Sequence, residues 1–425
     1  MKSTDKEYSN CIRILNEELL PAFGCTEPIA VAYAAALAKE TLGQIPNHVI
    51  ITCSGNIFKN VKSVVVPNSG NMKGLRAAAA AGIIAGCSEK KLEVLSSVTE
   101  DERARIREYI HSAEISIELS KSSLPFDIIV EVSKGEDSAV IRIAHFHTNV
   151  VLITRNDTII RSIDINTVDN EDYLDRSFLS TELIFDFANS VDPDEVRQLL
   201  NMQISYNMAI AEEGLKGDYG ANIGSVILNL DRKSLRNRIK AMAAAGSDAR
   251  MNGCEMPVII NSGSGNQGIA VCTPIVVYAR DKNIEEDKIY RALSLANLLS
   301  IHQRFGIGCL SAYCGAINAG IASICGIAYL EVGTLDAITH TLVNGLAVAS
   351  GVICDGAKAS CASKIVMGIE AGLIGLDMYH NGQQFCGGDG IVKVDVEATI
   401  AAVARLARYG MRETDREILN IMMDS

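Results

Sequence analysis

The chain has 425 residues, 12 cysteines, no tryptophan and a formal net charge of −12. That length buries a sizeable core, in one large domain or two to three ordinary ones. Apolar residues at 48% exclude a disordered or low-complexity chain, the acidic balance argues against nucleic-acid binding, and the cysteines are too dilute for a disulfide scaffold.

The start, Met1–Tyr8, has no apolar run, so no secretory signal is expected. A reducing cytoplasmic setting follows as the expectation, with most cysteines packing as small hydrophobes. Residues 6–41 carry apolar positions at helical spacing, interrupted by the segment Pro21–Pro28. Residues 48–66 are β-like, at His48–Cys53 and Val61–Val66, and a turn follows at Pro67–Asn71. An Ala-rich helix is predicted over Lys73–Ile84 and a charged one over Glu89–His111. Five strand-like runs come next: Ile115–Leu119, Phe126–Val132, Ala139–His147, Val150–Arg155 and Thr158–Ile163.

Beyond Asp175 the pattern is almost entirely helix and Gly-rich loop. Helices are predicted over Leu179–Ala188, Asp194–Gly214, Asp231–Ala245, Glu285–Phe305, Tyr313–Leu330, Leu335–Ala349, Ala362–Leu376 and Asp395–Arg408. The fold class is therefore α+β and mostly helical. A Gly/Ala-rich helical domain would comprise residues 1–45 and 174–425, with a smaller α+β domain, 46–173, inserted in it. Two domains in series, split near 173, fit the same pattern.

Three stretches are free of charge: Met256–Ala279, Phe305–Leu330 and Ala337–Cys354. Their Gly, Ser and Asn content and the missing interfacial Trp point to buried helices of a soluble core and not to membrane spans. No membrane partner and no nucleic acid are expected; a homodimer is permitted.

Gly263–Gly268 contains G-x-G-x-x-G. Cys272, Thr273 and Pro274 follow, which suits a dinucleotide helix poorly. Its small polar residues suit instead a nest of N–H groups for a carboxylate, and this reading goes ahead of the alternative, a plain structural turn, because so many small and amide residues exceed ordinary turn needs. Asp248–Cys254, just before it, places a charge pair beside an apolar region; a solvated ion pair at a helix end is the plain alternative. Among the cysteines, Cys11, Cys53, Cys87, Cys272 and Cys325 lie in apolar runs, and Cys254, Cys309 and Cys386 sit beside glycines. Cys25, Cys314, Cys354 and Cys361 fall in breaks between helices. Only Cys309 and Cys314 approach a zinc-type spacing, without a second pair. Wide spacing suits a cluster at a meeting point of helices, where soft thiolates hold Zn or Fe–S.

The segments Phe23–Ile29, Ser54–Val61, Asp248–Met251, Asn261–Gly268 and Cys354–Cys361 resemble the L-cysteine desulfidase family, in order, from about residue 12 to about 410. The C-terminal half more distantly resembles the α part of iron–sulfur L-serine dehydratases, which place more residues between the last two cysteines than the six found here. The resemblance implies a [4Fe–4S] lyase in which Cys314, Cys354 and Cys361 hold three irons and the fourth stays open for substrate. The implied reaction is non-redox β-elimination of L-cysteine, or of L-serine or another β-substituted amino acid, to pyruvate and ammonia. Cys25 and Glu27 are then candidate proton carriers. Asn261, Ser262, Ser264, Asn266, Gln267 and Lys73 are candidates for holding the substrate. No pyridoxal phosphate is expected; Lys358 reads as a solvated loop lysine. A metal-stabilised scaffold without activity is the rival reading.

Overall fold

The computed structural model describes residues 1–122, 124–165, 174–308 and 311–424. The chain opens with α1 (Lys6–Glu18), β1 (Pro21–Phe23), α2 (Thr26–Leu42), β2 (His48–Cys53), α3 (Gly55–Val61), α4 (Gly74–Ala85) and α5 (Glu100–Ser112). Strands β3 (Glu114–Leu119), β4 (Asp127–Lys134), β5 (Asp137–Ala144), β6 (Val150–Arg155) and β7 (Thr158–Ser162) complete one sheet. Then come α6 (Thr181–Ser190), α7 (Pro193–Lys216), α8 (Ile223–Leu230), α9 (Leu235–Met251), β8 (Pro257–Ile259), α10 (Gly265–Lys282) and α11 (Glu286–Ile307). The chain ends with α12 (Gly315–Glu331), α13 (Leu335–Ala349), α14 (Cys361–His380), α15 (Val396–Arg405), a π-helical turn at Leu406–Gly410 and α16 (Arg412–Met423). The α+β, helix-rich class expected from the sequence is what the structure shows.

The sheet runs β3-β2-β4-β5-β6-β7, with β2 and β3 parallel and every other pair antiparallel. Alternation along β4 and β5 puts Ile128, Val130, Val132, Ile141 and Ile143 on the buried face. Helices α2 and α4 cover that face and form one core with it. A second, larger core joins α1 to the helices that follow residue 174. α12 is buried along nearly its whole length, and small residues let it approach α14 closely: a Cβ on Gly320 would meet the Ile369 nitrogen at 2.8 Å.

Three sequence expectations change. Val61–Val66 forms no strand; Ser54 caps α3, its Oγ accepting from Ile57 N at 3.4 Å, and that helix takes up Val61. Glu89–His111 is not one helix: a short 3₁₀ segment covers Ser88–Glu93, and a capping box of Thr99 and Glu102 starts α5 afresh. The third concerns the Gly-rich loop, which does open a long helix. Ser264 caps α10, which continues through Pro274 because burial among α9, α11 and α12 outweighs one missing hydrogen bond. Helices α8 and α16 were not expected. Residues 166–173, where the alternative domain split falls, lie outside the described residues. No helix of the described residues is long and apolar enough to cross a membrane; the three uncharged stretches contain most of α10, α12 and α13, whose residues are largely buried.

Candidate active site

Four local devices bring distant segments to one place. The short ladder of β1 with β8 pairs Ala22 with Val258, which sets the start of α2 against the Gly-rich loop. Gly24 makes the turn between them at φ +67°, where a Cβ would strike Pro67 Cγ at 2.0 Å. Thr26 Oγ1 then donates to Gly263 O at 3.1 Å. Far along the chain, Tyr313 bridges Ile353 antiparallel: Cys314 N donates to Val352 O at 3.1 Å, and Cys354 N to Ala312 O at 2.6 Å.

The result is a cavity of about 100 Å³. Cys25, Glu27, Ser262, Ser264, Asn266, Gln267, Cys314, Cys354 and Cys361 all line it. Two sequence candidates lie elsewhere. Lys73 is exposed at the cap of α4 and is not among the lining residues. Asn261 is fully buried behind the loop, where its amide donates to Asn297 Oδ1 at 2.9 Å and its oxygen accepts from Ser262 and Ser300. That side chain is saturated and anchors the loop instead of facing a ligand.

Sequence reasoning missed Lys59, Asn60, His147, Arg250, Arg304 and Tyr313, which share the lining. All but His147, Arg304 and Tyr313 stood in segments quoted for the resemblance, and a lysine fully buried at position 59 has no signature in periodicity. The Asp248–Met251 segment is no solvated ion pair. Asp248 is wholly buried, with Oδ2 accepting from Gly224 N at 2.8 Å, and burial pushes its carboxyl up to about 6. Arg250 is also buried. Its guanidinium donates to Gly24 O at 3.1 Å and Asn266 Oδ1 at 3.3 Å, both neutral acceptors. Lys358 is half-buried and donates to Lys59 O at 3.3 Å; burial lowers its pKa.

Cys25 caps α2, and its thiol donates to Glu27 Oε2 at 3.3 Å. Burial pushes this thiol up, and the Glu27 charge adds to that. Burial also pushes Glu27 up, but His147, a backbone N–H, Arg250 and the Cys25 thiol together hold it below the ordinary carboxylate range. Asn60 Nδ2 donates to its Oε1 at 2.9 Å. His147, in the turn between β5 and β6, packs edge-on to Phe126 at 4.7 Å. Burial lowers its pKa, with Glu27 opposing and Arg250 assisting; its Nε2 is buried without a hydrogen-bond partner. Asn56 Oδ1, Asn60 Oδ1 and Gln267 Oε1 are three further lining acceptors buried without partners. Unpaired buried groups of this kind are costly and mark a place for a ligand.

The three remaining thiols come from two helix starts and one loop. Cys314 caps α12 and Cys361 begins α14, where N-terminal dipoles favour thiolate. The Cys314 thiol donates to Cys354, and with Lys59 and Lys364 this outweighs burial and holds Cys354 down at about 6. The same hydrogen bond pushes Cys314 up, and burial pushes Cys361 up to about 11. Gly356 shapes the loop between them at φ +92°; a Cβ there would meet Lys59 O at 2.3 Å. Among the described residues, no three His, Cys, Asp or Glu side chains close on one point as a single ion needs. The donor set, three soft thiols backed by two lysines on a cavity holding a carboxylate and an imidazole, has the chemistry of a site for an iron–sulfur cluster, whose irons each take their own thiolate. Of the other cysteines, Cys11, Cys53, Cys254, Cys272 and Cys325 are buried, Cys87 is half-buried and Cys386 is exposed; Cys309 lies outside the described residues.

Fold and site together define a helix-rich α+β protein with a thiol-lined cavity. The chain belongs to the serine dehydratase alpha chain family, whose model matches residues 89–420, and to the UPF0597 proteins. It is 50% identical over 424 residues to the UPF0597 protein of Desulfitobacterium hafniense (strain Y51), covering 100% of this chain and 99% of that one. It is 45% identical to that of Lachnoclostridium phytofermentans (98% and 100% covered) and 44% identical to that of Treponema denticola (99% of each).

Proposed function

We propose that this chain is an iron–sulfur lyase that removes the β-substituent of a small L-amino acid, L-cysteine first, yielding pyruvate and ammonia. The observation that carries the reading is the convergence of Cys314, Cys354 and Cys361 with Glu27 and His147 on one cavity. Those three cysteines would hold a [4Fe–4S] cluster, which supplies Lewis-acid assistance to the departing β-substituent.

The remaining work falls to the chain itself. Arg250, a buried guanidinium bound to neutral acceptors, receives the substrate carboxylate, assisted by Ser262 and Ser264. The unpartnered amide oxygens of Asn60 and Gln267 accept from the substrate ammonium. His147 takes the α-proton at Nε2, and the neighbouring Glu27 carboxylate stabilises the imidazolium that forms. Cys25 returns a proton to the leaving group. Elimination gives aminoacrylate, which tautomerises and hydrolyses.

L-cysteine is favoured by the Gly24–Pro28 motif of the desulfidase resemblance, which lines the cavity through Cys25, Thr26 and Glu27. L-serine is the second reading, favoured by the family whose model matches. Assays of pyruvate with sulfide or ammonia, run anaerobically on both amino acids, test the reading. Activity on L-cysteine supports it, activity on L-serine alone selects the second reading, and inactivity on both and on S-substituted L-cysteines refutes the lyase assignment.

A further inference from the structure

A second and much larger cavity, about 780 Å³, opens beside the first. The two share Asn56 and Ser311 in their walls. An ion pair also ties them together: Lys59, fully buried, lines the small cavity, and its half-buried partner Asp415 lines the large one. One wall of the large cavity is apolar, with Leu124, Pro125, Phe126 and Phe146. The π-helical turn at Leu406–Gly410 and α16 also line the cavity, and contribute Arg408, Arg412 and Arg416.

This charge pattern runs against that of the whole chain, whose net charge is −12. Three arginines face the cavity, and its one acid, Asp415, is already paired with Lys59. Arg412 and Arg416 stand four residues apart on α16, so they share one of its faces, and Arg408 lies in the π-helical turn before it; Arg416 also approaches Glu413 Oε2 at 3.9 Å. Arg412 lies over the Tyr409 ring at 5.3 Å. Free L-cysteine or L-serine has nothing to place in such a space. Its size falls in the roughly 300–1,000 Å³ range of sites for larger organic ligands.

We infer that the large cavity receives the β-substituent of the substrate, and that the preferred substrate class is an S-substituted L-cysteine whose substituent has an apolar stem and ends in a negative charge. The inference rests on the lyase reading above and names the substrate of that same site. The amino-acid end sits in the small cavity, the stem passes Asn56 and Ser311, and the anionic end meets the arginines. The reaction balances without an oxidant or reductant. The base takes the α-proton, the Cα–H electron pair becomes the C=C bond, and the Cβ–S bond breaks with its pair on sulfur. The sulfur takes a proton and leaves as a free thiol, and water converts aminoacrylate to pyruvate and ammonium.

The test compares S-(2-carboxyethyl)-L-cysteine with S-propyl-L-cysteine, alongside L-cysteine and L-serine. Pyruvate release gives kcat/KM for each, and calorimetric titration of the full chain without cluster gives affinity independently of turnover. The carboxylated conjugate is expected to exceed the uncharged one by roughly tenfold or more in both, since a site built for an ionic partner rejects the analogue lacking it. In the double variant Arg412→Gln, Arg416→Gln that preference should fall to near unity; both residues are exposed, so the core is not disturbed. Equal binding and turnover of the two conjugates, or a preference the double variant retains, would overturn the inference. Pyruvate from L-cysteine or L-serine with both conjugates inert refutes the inference alone. No pyruvate from any of the four compounds refutes the lyase reading and the inference with it.

Discussion

Tyr313 and Ile353, forty positions apart, form a single antiparallel bridge, and that bridge sets the Cys314 thiol against Cys354. Tyr313 commits its phenol to Asn318 Oδ1 at 2.8 Å, and Ile353 is apolar. Their backbone pairing is nevertheless what turns two distant cysteines into neighbours.

The first prediction concerns those thiols. Cys354→Ser, Cys314→Ser and Cys361→Ser should each lose most bound iron while keeping the helical circular-dichroism signal of the parent. A hydroxyl is a far poorer iron ligand than a thiolate. A Cys361→Ser protein with undiminished iron would remove that residue from the ligand set.

Gly356 is the second test. An alanine there faces the Lys59 carbonyl at 2.3 Å and a φ of +92°. Holding such a residue costs ~1–3 kcal/mol, so Gly356→Ala should lower the melting temperature and the iron content together. Gly382, also at positive φ but with nothing within 4 Å of a Cβ, supplies the control: Gly382→Ala should affect melting only.

Proton transfer gives the third. His147→Asn and Glu27→Gln should each lower kcat by ~10²–10⁴-fold, the usual worth of a positioned acid or base, with iron content unchanged. Retained activity in His147→Asn would move the base elsewhere in the cavity.

The fourth is a pH effect on stability, remote from the site. Glu397 joins three elements: it accepts from Thr181 N and Thr181 Oγ1, each at 2.7 Å, and contacts His302 Nε2 at 2.7 Å. Burial pushes its carboxyl up, but His302 and Thr181 outweigh it and hold it down at about 2. Its folded pKa is thus depressed below the unfolded value of about 4.3. The stabilisation is therefore complete above that value and is lost as pH falls toward 2. Denaturant titrations should show Glu397→Gln less stable than the parent at pH 6, with the gap closing between about pH 4.5 and 2.5.

Much of this was legible in the sequence, and the exceptions have physical causes. Helix periodicity and strand alternation located most elements, because burial of one face imposes those patterns. They failed where a single cap decided the outcome, at Ser54 and Thr99, and where tertiary burial overrode Pro274. At the cavity, Cys25 and Glu27 stood out as reactive types in a helix break. Arg250 and His147 did not, because their importance comes from isolation and burial, which depend on chain segments far away. Asn261 was drawn in by its loop, but its amide is consumed by Asn297 and Ser300.

The central claim, that the thiol-lined cavity carries a cluster serving a β-elimination, is tested most directly by iron and acid-labile sulfide analysis of anaerobically prepared protein, coupled to the L-cysteine assay on the same sample. About four irons and four sulfides per chain are expected, as a [4Fe–4S] centre requires, with pyruvate and sulfide formed in proportion to cluster content. A colourless, iron-free protein with one tightly bound zinc, or a full cluster that forms pyruvate from neither L-cysteine, L-serine nor an S-substituted L-cysteine, would contradict the account.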